Sequence, residues 1–437
     1  MKYFTLIISI LLFSTALSIP TMKKKKWTIF WYMNGDNDWE VGVTGGWVDL
    51  SEEGLNKKRM GRLGTRMNMQ GCNNSDTNCT YIPGDFHHEL ANMGSSEYIN
   101  VVALVDRVPG YSDTMDNWTE TRLYYVNKDD WPDNTRSTYW VNVTGYNELN
   151  MGDPNTMVSL MKIIKEHFPA ENYCMIPQDH NWGWHDGYFE EDYTNNHDTI
   201  SYGQLSDVLF ENKNDIPHLS VIGYDACVSA HVEVLHTWRP YVDAYAGSQD
   251  YVGWGGIDGG IVIRALYDNP FITPNVLSSV IASSMMLDPE SGCATGFMLN
   301  ESFDNMVKEI DTLAQLFLEY LDNIRLRLIG VRGKTPQVPE LSEDDYFHKD
   351  LRTMAEFVAK EFSEEPTYPD IVKTAENLIK AFDDSLTYND YREHLLTCNK
   401  GQGLSVYWTK SGEKPSPDYY NTSFAQDTHW DEFLDKF

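Results

Sequence analysis

Four short runs of this chain are apolar or β-branched on nearly every residue, and each ends on a polar, chemically capable group. They are Trp27–Met33, running into Asn34-Gly35-Asp36-Asn37-Asp38; Asn100–Val105, into Asp106-Arg107; Tyr173–Pro177, into Asp179-His180; and Leu219–Tyr224, into Asp225-Ala226-Cys227. None shows the in–out alternation of a strand with one wet face, so each predicts a strand buried on both sides. Helical spacing lies between or after them, at Met157–Phe168, Leu205–Phe210 and Val228–Trp238. Strands alternating with helices imply a mostly parallel sheet with helices on both faces, an α/β architecture. Thr121–Val126 and Thr138–Val143 read as shorter strands.

Beyond about residue 270 the pattern turns helical. Apolar residues at 306, 310, 313, 317, 320 and 324 form one stripe that ends at Gly330, and further helical patterns fall at 345–362 and 370–383. A strand is expected to return at 403–408, and a short helix at Trp430–Phe437. The organisation expected is a leader (1–18), a basic linker or pro-segment (19–26), an α/β core (27–268) and a helical C-terminal region (269–437).

With 34 Lys and Arg against 65 Asp and Glu, the net charge is −31. Such a chain repels phosphate backbones and anionic membrane surfaces, so no nucleic-acid partner is expected. At the N-terminus Lys2, the apolar run Phe4–Phe13 and Ala16-Leu17-Ser18 follow the order of a secretory signal peptide. The run is short for a membrane span, and no stable insertion is expected after its removal. Secretion, or delivery to a lysosome or vacuole, is the reading. The Lys23–Lys26 run that follows pulls against export, because positive charge tends to stay cytosolic. Sequons at Asn73, Asn78, Asn117, Asn142, Asn300 and Asn421 are glycosylation candidates. Six cysteines in 437 residues do not make a disulfide scaffold. Cys72 and Cys79 are a candidate disulfide, Cys293 and Cys398 a second, and Cys174 reads as a buried thiol.

His180 and Cys227 each follow an apolar strand directly and are separated by one strand–helix–strand unit. A parallel crossover can bring both to one edge of the sheet, where ligands bind in such folds. A thiol beside an imidazole is a sufficient nucleophile–base pair. By themselves, the two residues are more commonly a buried free cysteine and a satisfied histidine.

The surrounding residues carry more. Tyr173-Cys-Met-Ile-Pro-Gln-Asp-His180-Asn-Trp-Gly-Trp184 and Val221-Ile-Gly-Tyr-Asp225-Ala226-Cys227 resemble the histidine and cysteine motifs of the clostripain family. Trp27–Glu40, Arg239-Pro240-Tyr241, Gly247–Asp250, Gly403–Tyr407 and Trp430–Leu434 are similar to its other landmarks, so the resemblance covers most of 27–437. It implies a caspase-like α/β/α sandwich and a cysteine endopeptidase acting on peptides or proteins. His180 would be the general base and acid and Cys227 the nucleophile. The backbone N–H groups of Cys227 and Asn181 would hold the oxyanion. Asp225 would pair with a substrate Arg or Lys, with Asp250 or Asp258 as a second acidic group. A helix N-cap is the alternative role for Asp225.

The sequence departs from the family in places. Asn181 stands where the family has glycine, and a side chain there would crowd the oxyanion hole. Lys213 is the only Lys or Arg between His180 and Cys227, which argues against self-cleavage there. No cofactor is required for the chemistry. Calcium is implied by the resemblance, with Asp36/Asp38 and Glu190–Asp192 as candidate oxygen ligands against the plainer reading of solvated turns. The alternatives are the same fold with another P1 preference, or an inactive homologue that binds or adheres.

Overall fold

The computed structural model describes residues 21–37, 45–49, 79–83, 90, 93–109, 118–127, 148–185, 189–339, 347–364, 366–392 and 401–437. The expectations at 1–18, Asp38, Cys72, the Cys79 side chain, Asn73, Asn78, Asn117, Asn142, 138–143 and Cys398 lie outside what is described.

The strands are β1 (Lys25–Gly35), β2 (Gly45–Asp49), β3 (Cys79–Pro83), β4 (Ile99–Arg107), β5 (Arg122–Tyr125), β6 (Ala170–Gln178), β7 (Leu219–Gly223), β8 (Val242–Gly247), β9 (Cys293–Met298), β10 (His348–Asp350), β11 (Leu386–Tyr391) and β12 (Ser405–Tyr407). The helices are α1 (Pro154–His167), α2 (Tyr202–Asn212), α3 (Val232–Trp238), α4 (Gly259–Asp268), α5 (Pro274–Met285), α6 (Glu301–Lys334), α7 (Leu351–Phe362), α8 (Pro369–Ser385), α9 (Ser423–Asp427) and α10 (Trp430–Lys436). Eight strands form the main sheet in the order β11-β9-β8-β7-β6-β1-β4-β5. Its centre, β8 to β4, is parallel. The strands β5, β9 and β11 run antiparallel to their neighbours.

The apolar runs explain the layers. Along β1, Phe30 and Tyr32 enter one core while Trp27, Ile29, Trp31 and Met33 enter the other. The first core takes residues of α1, α2, α3 and α6 to α8, and the second takes α4 and α5. The result is the expected three-layer α/β/α sandwich with a mostly parallel sheet.

Tertiary contacts redraw several boundaries. β1 begins at Lys25, whose Nζ donates to the Ser96 and Ile99 carbonyls, so Lys25 and Lys26 belong to the strand. α6 runs past Gly330 to Lys334, because Val331 is buried and the Arg332 guanidinium donates to the Trp408 carbonyl. Neither Gly330 nor Gly333 adopts the left-handed conformation that stops a helix. The expected helix at 228–238 starts only at Val232, because 228–230 is held by backbone bonds to 248–250. The pattern from 345 breaks likewise: His348–Asp350 forms β10 against β12, and α7 follows. β9 and β11 lie beyond residue 268 yet join the main sheet, so core and C-terminal region share one sheet. Cys293 is a free thiol among the described residues, with Ser248 Oγ 3.5 Å from its sulfur.

Candidate active site

β6 and β7 are parallel neighbours in the register Cys174↔Val221 and Met175↔Ile222. The register survives past the regular ladder, for Gln178 still bridges Asp225 and the Asp225 N–H donates to the Pro177 carbonyl. His180 and Cys227 each stand two residues beyond that bridged pair. Both therefore follow neighbouring parallel strands, about 4.8 Å apart, at the same carboxyl edge of the sheet. Both are partly exposed, whereas their neighbours Asp179 and Asp225 are buried.

The Cys227 sulfur receives the Val252 N–H at 3.4 Å. Val228 follows at φ 52, a left-handed conformation that is rare for a β-branched residue and costs about 1–3 kcal/mol. Its N–H donates to the Asp250 carbonyl. Val228 itself is fully buried.

On the other side, Asp179 accepts from the amides of Asn34 and Asn37 at the end of β1. β1 is the strand where the sheet order reverses, with β4 on one flank and β6 on the other. The histidine loop therefore sits at the topological switch point of the sheet, where open α/β folds bind ligands. Trp182 packs against Tyr251, the residue before Val252, with ring centroids 5.6 Å apart.

Asn181 is buried. Its Oδ1 accepts the Trp182 N–H and its Nδ2 donates to Tyr202 Oη at 3.4 Å. The side chain is thus turned toward α2. Its backbone is also outside the left-handed region that glycine would serve.

Asp225 is buried to 1% exposure. Its Oδ2 accepts from Gln178 Nε2 at 3.1 Å and its Oδ1 from the Ile257 N–H at 3.0 Å. It is not a helix N-cap, since α3 starts only at Val232, after His231. Burial pushes its carboxyl up to about 7; the Ile257 N–H lowers it, and the nearby Asp288 carboxylate raises it further. The loop 253–256 folds over it. Gly256 has φ 47, and a Cβ there would stand 2.1 Å from Asp225 Oδ1, so this turn requires glycine.

Asp288 went unremarked in the sequence. Its Oδ2 accepts the Gly255 N–H at 2.6 Å, tying the end of α5 to the loop over Asp225. Asp250 is fully buried and its Oδ1 accepts the Tyr251 N–H, while Asp258 caps α4.

The two loops are held by the C-terminal region. Trp184 meets Tyr407 and Tyr419 edge-on at 4.7 and 4.8 Å. Gln249 donates to Asp350 and Ser405 and accepts from the Gly403 N–H. His231, just beyond Cys227, lies 4.0 Å from His348, which lies 5.2 Å from His185. Burial pushes His185 down to about 4, His231 to about 3 and His348 well below the usual histidine range, so all three are neutral at pH 7.

A second polar site lies beside the histidine loop. Asp36, Asp106 and Asp192 are all buried and offer oxygens within 4.8 Å of one another. Burial pushes Asp36 up to about 8 and Glu148, beside them, up to about 7, and the Asp192 charge adds to both.

The sheet order and the two loops define a caspase-like sandwich whose histidine and cysteine share one edge. The family model described as the Clostripain family (peptidase C11) matches residues 69–437, and the chain belongs to that family. Clostripain of Hathewaya histolytica is 27% identical over 165 residues; the match spans 33% of this chain and 30% of that curated relative. Among solved structures, a secreted C11 cysteine protease from Bacteroides thetaiotaomicron, in complex with an irreversible peptide inhibitor, has a TM-score of 0.59 at 16% identity. The alignment covers 93% of this chain and 99% of that one. An inactive zymogen C11 protease from Parabacteroides distasonis has a TM-score of 0.57 at 14% identity, over 93% and 99%. Likeness at such identities establishes the fold. Among the described residues, no helix is long and apolar enough to cross a membrane.

Proposed function

We propose that this chain is a cysteine endopeptidase in which Cys227 is the nucleophile and His180 the general base and acid. The observation that carries the reading is the shared register: both residues lie two positions beyond the Gln178–Asp225 bridge. His180 takes the thiol proton as the Cys227 sulfur attacks the scissile carbonyl carbon. The backbone N–H groups of Cys227 and Asn181 hold the oxyanion. The proton then passes to the leaving amine, and water hydrolyses the thioester. The Val252 N–H donated to the sulfur supports the role, because a donor there favours the thiolate.

Asp225 is the group that selects Arg or Lys at the cleaved position. It is buried two residues before the nucleophile, and a buried carboxylate favours a guanidinium strongly over a neutral side chain. Asp288 adds negative potential through the loop at Gly253–Gly256, a role the sequence reading gave to Asp250 or Asp258. The chain reaches its place through the secretory route. Asn300 and Asn421, both exposed, would carry glycans in a source that glycosylates.

The test is hydrolysis of fluorogenic peptides with Arg, Lys, Asn, Asp or Leu at P1, with Cys227→Ala as control. Cleavage after Arg or Lys that vanishes in Cys227→Ala is the expected result. Asp225→Asn should lower kcat/KM for Arg substrates by about 100-fold, the scale of a lost charge-assisted pair, and leave Leu substrates unchanged. Cleavage after another residue would retain the dyad and reject the Asp225 pocket. A folded protein that cleaves nothing would leave the inactive binding homologue.

A further inference from the structure

Asn181, the residue after His180, carries a buried amide side chain, and both ends of that amide are committed. Its Oδ1 accepts the Trp182 N–H at 2.8 Å, and its Nδ2 donates to Tyr202 Oη at 3.4 Å. The first bond closes between neighbours along the chain and restricts rotation of the Asn181 backbone. The second reaches across to α2, whose first residue is Tyr202.

Its surroundings make Tyr202 a fixed point. It is 1% exposed within the first core, and Phe189 stacks on its ring at 5.4 Å with the planes 13° apart. Ser201 caps the helix by accepting the Gln204 N–H. Gly203 lies against the Asn421 carbonyl, where a Cβ would stand 2.7 Å from the oxygen. The Tyr202 hydroxyl faces that of Tyr224, which accepts from Trp238 Nε1 at 2.6 Å. Tyr224 is the residue before Asp225. A chain of polar groups thus crosses an apolar core, from the loop after β6 through α2 to the end of β7 and to α3. Such a chain holds one arrangement, because a buried donor left unmet costs about 1–3 kcal/mol.

Glycine at position 181 would leave this peptide free to rotate. Asparagine limits the rotation while both ends of its amide are held, and Tyr202 holds the far end. We propose that Tyr202 is a positioning residue for catalysis: through the Asn181 side chain it sets the direction of the Asn181 N–H toward the oxyanion. The inference rests on the reading of that N–H as an oxyanion donor. Tyr202 acts through Asn181 and not on the reacting atoms.

Two measurements on the full chain test it. The first is hydrolysis of a peptide with Arg at P1. Tyr202→Phe retains the stacked ring and removes only the hydroxyl. It should lower kcat about 10-fold with KM within about twofold, less than the roughly 100-fold that loss of an oxyanion donor costs. Added to Asn181→Gly, the same change should alter kcat less than about twofold, since no amide is then left without its partner. The second is hydrogen exchange by mass spectrometry over residues 179–184 in the Cys227→Ala protein, which does not depend on peptidase activity. Tyr202→Phe should speed exchange of the Trp182 amide at least ~10-fold and leave distant segments unchanged. Unchanged exchange overturns the proposal. So does faster exchange with an unaltered kcat, or an equal fall in kcat with and without the Asn181 side chain. A wild type that cleaves no peptide rejects the peptidase reading and the catalytic role with it, and the exchange result separates that failure from a failure of the Tyr202 anchor.

Discussion

The loop after β6 and the loop after β7 present the proposed base and the proposed nucleophile, and different kinds of contact tie them to the C-terminal region. The His180 loop is pinned by aromatic packing: Trp184 is 1% exposed and lies against Tyr407 and Tyr419. The Cys227 loop is pinned by polar bonds: the Val228 and Ala230 N–H groups donate to the Asp250 and Ser248 carbonyls after β8, the Ala230 carbonyl accepts the Ser405 N–H, and Gln249 beside them ties that neighbouring loop to Asp350, Ser405 and Gly403. Apolar packing tolerates small displacements, as would suit the base proposed at His180. Hydrogen bonds fix direction, as would suit the nucleophile proposed at Cys227. Both anchors come from the C-terminal region, which therefore braces the two loops.

Removing the proposed reacting groups should have the largest effect. Cys227→Ala and His180→Ala should each lower kcat at least ~1,000-fold with little change in Tm, as measured on the same peptide substrate. Trp184→Ala comes next. It should destabilise the fold by about 3–5 kcal/mol in urea unfolding and lower kcat more than it changes KM. Gln249→Leu should cost about 1–3 kcal/mol, because the Gly403 N–H and an Asp350 oxygen lose a buried partner. If Gln249→Leu proves as costly as Trp184→Ala, the contrast between the loops is wrong.

The smallest effect concerns pH. His231 titrates at about 3 when folded and near 6.5 when unfolded, so the unfolded chain binds more protons below pH 6.5. Its contribution is fully present above 6.5 and is lost progressively as the pH falls toward 3. Between pH 7 and pH 5 it should remove about 2 kcal/mol of stability. His231→Asn should flatten the fall by that amount in urea titrations at the two pH values. Buried carboxyls with raised values, such as Glu233 at about 7, act in the opposite sense. The wild-type profile alone therefore cannot reveal the histidine, and the comparison with the variant is needed.

Much of this was legible in the chain because its signals are local. β1, β4, β6 and β7 appear as unbroken apolar runs, and α1 and α2 as helical stripes. β8 and β9 are diluted by Ala and Gly and carry no such signal; they are strands because the sheet edge offers partners. Asn181 looked like an obstruction because the sequence cannot say which way a side chain turns. It turns toward Tyr202. Glu148 and Asp288 looked like ordinary acidic residues. Their meaning comes from what faces them, and those neighbours are distant in sequence.

The sequence by itself determined that the sheet is buried on both faces and that a histidine and a cysteine end two of its strands. It also carried the motifs that mark the family. Residue type and periodicity are properties of neighbours along the chain, so they survive without a fold. Only the tertiary structure decided the strand order, the shared register of His180 and Cys227, the burial of Asp225 and the convergence of Asp36, Asp106 and Asp192. Register, desolvation and electrostatic coupling depend on distances through space, and no spacing in the sequence encodes them.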